Sequence, residues 1–323
     1  MERRRPDLAT ATAAFLTALA ERTRSSQTRR AYASDLRQLV RWAGRRASLG
    51  TVHRSAAKLI LAELDDARRA PSSVRRRASA YRTFLKFLNS QGWTGPPPAL
   101  PAPGRSEAGK SSQTPVLTEV ELTRLLAAPA VEIEKLSSEL ARRHAAGSPC
   151  RRIEQAIEDR IRDRALLELA FATGLSLGEL LELRFADFDL GQRRVRIRGS
   201  PPRARTIAFA SKSATEAART YLLQRAKHKR VSPQLFLNRR GRPVHPNAAQ
   251  AALRRYAERV RLGPEVTFRS LRRTLAFRLR QRGMDYGNWR SLLGLPLPGR
   301  ELMPDEGRRL LLVPASVDPR EGR

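Results

Sequence analysis

The stretch from Gly95 to Gln113 constrains this chain more than any other. Pro96, Pro97, Pro98, Pro101 and Pro103, followed by Gly and Ser, leave no run able to pack as a helix or strand. It reads as a linker over 95–114, so the chain is expected to fold as two separately cored domains, 1–94 and 115–323. A length of 323 residues suits two ordinary domains and is short for three.

Ahead of the linker, the apolar residues predict four helices. In the first, Leu8, Ala11, Phe15 and Leu19 share one face. The interruptions at Thr10, Thr12 and Thr17 argue for the opening helix of a soluble domain rather than a secretory signal after Arg3, Arg4 and Arg5. In the second, Tyr32, Leu36, Leu39, Val40 and Ala43 point inward, while Arg29, Arg30, Arg37 and Arg41 fall elsewhere on the surface. The fourth is predicted to start after Pro71 with Ser72 or Ser73 as N-cap. It turns Val74, Ala78, Tyr81, Leu85 and Leu88 inward and stops at Gly92. Arg75, Arg76, Arg77, Arg82 and Lys86 are left for phosphates.

Beyond the linker, Thr118 and Glu121 have capping-box spacing. A charged, helix-prone stretch over about 131–159 breaks at Gly147-Ser148-Pro149, and further helices end at Gly174 and cover 179–183. Val195–Arg198 and Arg205–Phe209 read as a β-hairpin, followed by helices near 212–227, 246–261, 269–282 and 285–293. The fold class expected is mainly α (α+β), with one small β-sheet.

Lys plus Arg number 63 against 31 for Asp plus Glu, a net charge of +32. That imbalance calls for a polyanionic partner, because each phosphate neutralised releases counterions and adds affinity. A genome favouring arginine codons would supply part of the excess. The basic residues are spread along the chain rather than gathered beside an apolar anchor, which favours a nucleic acid over a membrane. A single cysteine, Cys150, excludes an internal disulfide and points to a reducing, cytoplasmic location. His53, His144, His228 and His245 show no metal-ligand spacing, so no metal and no cofactor is expected.

Several blocks in order then become specific. Thr28, Tyr32, Asp35 and Leu36 form T-x-x-x-Y-x-x-D-L. Arg162-Asp163-Arg164-Ala165, Ala172-Thr173-Gly174-Leu175, Gly178-Glu179-Leu180, Leu183 and Asp187 form a longer block. Leu271-Arg272 and Leu292-Leu293-Gly294 follow. Together they resemble the tyrosine recombinase (phage integrase, Xer-like) family over about residues 9–295. The resemblance implies an N-terminal four-helix, SAM-like core-binding domain and a catalytic-type domain, closing on duplex DNA. It also implies a nucleoid-associated protein that works beside further copies of itself or an active recombinase.

In that family a tyrosine attacks a phosphodiester, while two arginines, a lysine and one or two histidines stabilise the transition state and protonate the leaving group. Here the first arginine position holds Ser176, and an ungapped count puts Ser200 at the lysine, with Arg203 or Arg205 nearby. The histidine of H-x-L-R is Arg269, and the second arginine survives as Arg272, followed by Arg273. Leu295 stands where His or Trp belongs, and the nucleophile position falls on Pro304, with no tyrosine after Tyr286. The resemblance therefore implies a DNA-binding pseudoenzyme that acts in or regulates DNA recombination or integration. The alternative is an active recombinase whose nucleophile is Tyr286 or comes from a partner. The DNA-contacting set expected is Arg29, Arg30, Arg75, Arg76, Arg77, Arg203, Arg205, Arg269, Arg272 and Arg273. Relative to the family, residues 131–159 read as an inserted helical segment with an apolar stripe of Val131, Ile133, Leu136 and Leu140. The run Leu310–Pro314 is expected either to dock on a neighbouring protomer or to fray.

Overall fold

A computed structural model describes residues 6–22, 26–66, 71–97, 99–100, 114–198, 204–227, 232–295, 310–314, 318 and 320. The chain divides into two compact units, Met1–Ser111 and Ser112–Arg323.

The first unit is four helices, α1 (Leu8–Arg22), α2 (Ser26–Ala43), α3 (Val52–Asp65) and α4 (Pro71–Ser90), with a 3-10 turn at Leu49–Thr51. The inward faces read from the sequence close on one another. Leu8, Phe15, Leu36, Leu39, Ile60, Tyr81 and Leu88 are buried together, and Phe15 packs edge-on to Phe84 and Phe87 at 5.4 and 5.3 Å. Each such aromatic removed from water contributes roughly 2–3 kcal/mol. α4 begins at Pro71 itself, not at a serine cap after it, because proline at the first helical position gives up no bonded N–H. It ends where Gly92 takes φ +69° and the Trp93 N–H bonds the Leu88 carbonyl. Leu100, inside the stretch read as linker, is buried in this core.

The second unit opens with two long helices, α5 (Glu119–Ala145) and α6 (Arg151–Thr173), packed along each other. Thr118 caps α5 in the expected box with Glu121. Residues 131–159 are the far end of α5, a turn at Gly147 and the first turns of α6. On the proposed stripe, Val131 is exposed and Ile133, Leu136 and Leu140 are half-buried, while Glu132 is the buried residue, held by Arg160 and Arg259. Then come α7 (Leu177–Glu182), β1 (Phe188–Asp189), β2 (Arg194–Ile197), β3 (Arg205–Phe209), α8 (Lys212–Lys227), α9 (Pro246–Arg259), α10 (Phe268–Gln281) and α11 (Tyr286–Leu292).

β2 and β3 form the predicted hairpin, with Val195 opposite Ile207 and Ile197 opposite Arg205. A fourth strand, β4 (Leu310–Val313), lies parallel to β3 and completes the sheet order β1-β2-β3-β4. The C-terminal run that was expected on a neighbour or frayed is thus paired with its own chain, and Val313 is buried in the core. Behind it, Arg320 makes a double hydrogen bond to Glu168, a carboxylate only 1% exposed on α6. No helix among the described residues is long and apolar enough to cross a membrane.

Candidate functional site

The site grows out of the break between α6 and α7. α6 stops at Gly174, whose φ of +63° suits glycine, and a Cβ there would sit 2.7 Å from Leu275 Cδ2 and 2.9 Å from Leu293 Cδ2. This close approach brings α10 and the end of α11 against the turn. Ser176, which the resemblance puts at the first arginine position, is the N-cap of α7. Its hydroxyl accepts from the Glu179 N–H, and its own N–H and hydroxyl donate to Glu179 Oε2 at 2.9 and 2.7 Å. The serine is absorbed into a capping box.

Glu179 is also where the remaining cations go. Arg205 Nη1 donates to Glu179 Oε1 at 2.8 Å, and its Nε donates to the Leu292 carbonyl at 2.7 Å. Arg272 Nη1 donates to the Gly174 carbonyl at 3.0 Å and to Glu179 Oε2 at 3.3 Å, and its Nη2 bonds the Leu293 carbonyl. Arg205 is 2% exposed and Arg272 18%. Burial opposes the charge on Glu179, yet Arg205 and Ser176 outweigh it and hold the carboxyl below its ordinary range. Burial also pulls the Arg272 guanidinium below its ordinary value, against the pull of Glu179. The arrangement is a closed ionic pin: two guanidiniums, one carboxylate and the carbonyls at the end of α11 tie α7, β3, α10 and α11 together.

The other positions scatter. Arg269 lies exposed in the first turn of α10, and Arg273, also exposed, donates to the Thr114 carbonyl at 2.8 Å. Leu295 is half-buried against the core. Tyr286 is 51% exposed at the start of α11; its hydroxyl accepts from Arg290 Nη1 at 3.1 Å and its ring meets Trp289. It has no bond to Arg205, Arg272 or Glu179 among the described contacts. Ser200, Arg203 and Pro304 lie outside the described residues.

In the first unit, Arg30 and Arg75 are exposed and Arg29 is half-buried. Arg76 pairs with Asp35 while staying 46% exposed. Arg77 corrects the sequence reading, since it is buried and pairs with Glu63 and Asp35 inside the helical core. Its place was legible: it sits three residues after Val74 and four before Tyr81, on the inward face of α4. Arg205 is corrected likewise, because a guanidinium 2% exposed offers no surface to a phosphate. Glu179, one residue of the Gly178-Glu179-Leu180 block, is the hub of the site, and its spacing of three from Ser176 is the one local sign of it. A second buried carboxylate, Asp163, accepts from Arg162, Arg255 and the Tyr256 hydroxyl, and burial among these groups pushes the Tyr256 phenol up.

Residues 148–294 match the phage integrase family, and residues 13–92 match the phage integrase N-terminal SAM-like domain. The chain is 30% identical over 290 residues to tyrosine recombinase XerC of Roseiflexus castenholzii, covering 87% of this chain and 83% of that protein. It is 30% identical over 278 residues to XerC of Mycobacterium tuberculosis (strain ATCC 25177 / H37Ra), covering 84% and 85%. Among solved structures, the fold is shared with the Tn1549 transposon integrase in complex with circular intermediate DNA (TM-score 0.61, 14% identity, 93% of this chain and 97% of that one). It is shared also with a lambda integrase dimer bound to a COC′ core site (TM-score 0.56, 18% identity, 92% and 98%).

Proposed function

The chain belongs to the phage integrase family of tyrosine recombinases, and from that premise we propose that it binds duplex DNA in recombination or integration without cutting it. One observation carries the reading. Arg272, the surviving member of the family's arginine pair, is committed to Glu179 and to backbone carbonyls, so its charge is matched within the protein. A phosphoryl-transfer site needs cations preorganised toward the phosphate, and groups that act as a unit lose their effect together. Ser176, Leu295 and the lack of a tyrosine between Tyr286 and Arg323 point the same way.

Affinity for DNA is kept by charge. Arg29, Arg30, Arg75, Arg76, Arg269 and Arg273 reach the surface and suit phosphate contacts. The SAM-like domain and the catalytic-type domain, joined through 95–114, would hold the duplex, in the cytoplasm and on the nucleoid, with a second copy or an active recombinase on the same site. The dimeric, DNA-bound state of the lambda integrase supports that assembly.

The test is recovery of DNA from the native host without crosslinker. Specific fragments recovered under native conditions and lost in SDS are expected. Fragments that stay attached through SDS, and vanish in Tyr286→Phe, would instead mean an active recombinase with a moved nucleophile.

A further inference from the structure

From Phe268 to Leu295 the chain carries seven arginines, at 269, 272, 273, 278, 280, 282 and 290, against one acid, Asp285. Asp285 is spent on the N–H groups of Gly287 and Asn288 at the head of α11. Arg272 is held inside the pin and Arg278 pairs with Glu119; phosphate charge accounts for the others, but not for the rings among them. Arg269, Arg273 and Phe277 follow one another at four-residue spacing along the exposed face of α10, with Phe277 45% exposed, and Arg280 lies three residues further on. The line continues on α11. Arg280 stacks over Trp289 with 5.9 Å to the ring centroid, Trp289 meets Tyr286 edge-on at 5.3 Å, and Arg290 lies over Tyr286 at 5.3 Å. Tyr286 keeps half its surface open.

We infer that this face of α10 and α11 binds unpaired DNA, the exposed rings stacking on bases while the arginines hold the backbone. The inference rests on the DNA-binding reading above. Interleaved cations and aromatics are the arrangement that single strands use, because every base has a face to stack on. A duplex cannot use the rings in this way, since its bases already cover one another; it meets only the arginines. The absence of any unspent carboxylate on the segment favours a polyanion over a second copy of this basic chain.

The two ring positions make clean tests, because both side chains are exposed and their loss removes little from the core. Affinity of the full chain for a labelled dT oligonucleotide and for a mixed-sequence duplex is measured at one salt concentration. Phe277→Ala and Tyr286→Ala are each expected to weaken dT binding at least about five-fold and to leave duplex binding unchanged. Tyr286→Phe is expected to keep dT affinity, since stacking uses the ring and not the hydroxyl. Unchanged dT affinity in both alanine variants, with the duplex still bound, overturns this inference alone. So does an equal loss on dT and duplex, which is what generic charge attraction gives. Loss of binding to polyglutamate with dT binding intact assigns the face to an acidic polypeptide and overturns it as well. A wild-type chain that binds neither DNA overturns this inference together with the reading it rests on.

Discussion

Arg272→Ala separates a structural pin from a phosphate clamp. The substitution withdraws donors from the Gly174 carbonyl, the Leu293 carbonyl and Glu179 Oε2 in one step. A buried acceptor left unmade costs about 1–3 kcal/mol. The 18% exposure of Arg272 lets some water replace the lost donors, and Glu179 keeps Arg205, which places the sum near 3 kcal/mol. For a unit of this size each kcal/mol lowers the melting temperature by about 2–4 °C, so a fall of roughly 6–12 °C is expected by calorimetry. The dependence of DNA affinity on salt should stay as it is, because a side chain already paired inside the protein releases no counterion from DNA. Arg269→Ala is the contrast. It lies exposed three residues earlier and should leave the melting temperature alone while reducing the salt slope by about 0.9. If Arg272→Ala instead reduces the slope by that amount and the melting temperature holds, the pin opens onto phosphate and the reasoning fails.

Two further outcomes follow from buried charges. Arg77→Ala leaves Glu63 with Gln38 alone and Asp35 with Arg76 alone inside the first unit and should cost about 3 kcal/mol, read by denaturant unfolding, with no change in the salt slope for DNA. Glu179, held below its ordinary range in the folded state, contributes stability that is present above its unfolded value and lost as pH falls through its folded value. Unfolding free energy measured from neutral pH downward should therefore drop through the acid range in the wild type and drop less steeply in Glu179→Gln; parallel curves would remove Glu179 from the pin.

Much of this was written in local pattern. The helical faces of α1, α2 and α4 follow from the spacing of Leu8, Leu36 and Tyr81 with their neighbours, because a single helix shows its buried face in its own period. The β2–β3 hairpin followed from β-branched alternation around a turn. The partners of buried cations are not written in local pattern. Arg77 and Arg205 are charged, and charge alone argues for solvent until a partner is known; Glu63, Asp35 and Glu179 lie too far away in sequence to be paired with them by spacing. β4 shows the same limit from the apolar side: Leu310–Val313 is legible as an apolar run, but β3, a hundred residues earlier, is what it pairs with.

The sequence by itself determined the family and the helical architecture, because residue identity and short-range periodicity do not depend on long-range contact. Only the tertiary structure decided that Arg272 faces Glu179 and the Gly174 and Leu293 carbonyls. Side chains 21, 93 and 98 residues apart from their partners choose one another through packing, and it is that choice, rather than the presence of an arginine, that fixes whether its charge meets a carboxylate or a phosphate.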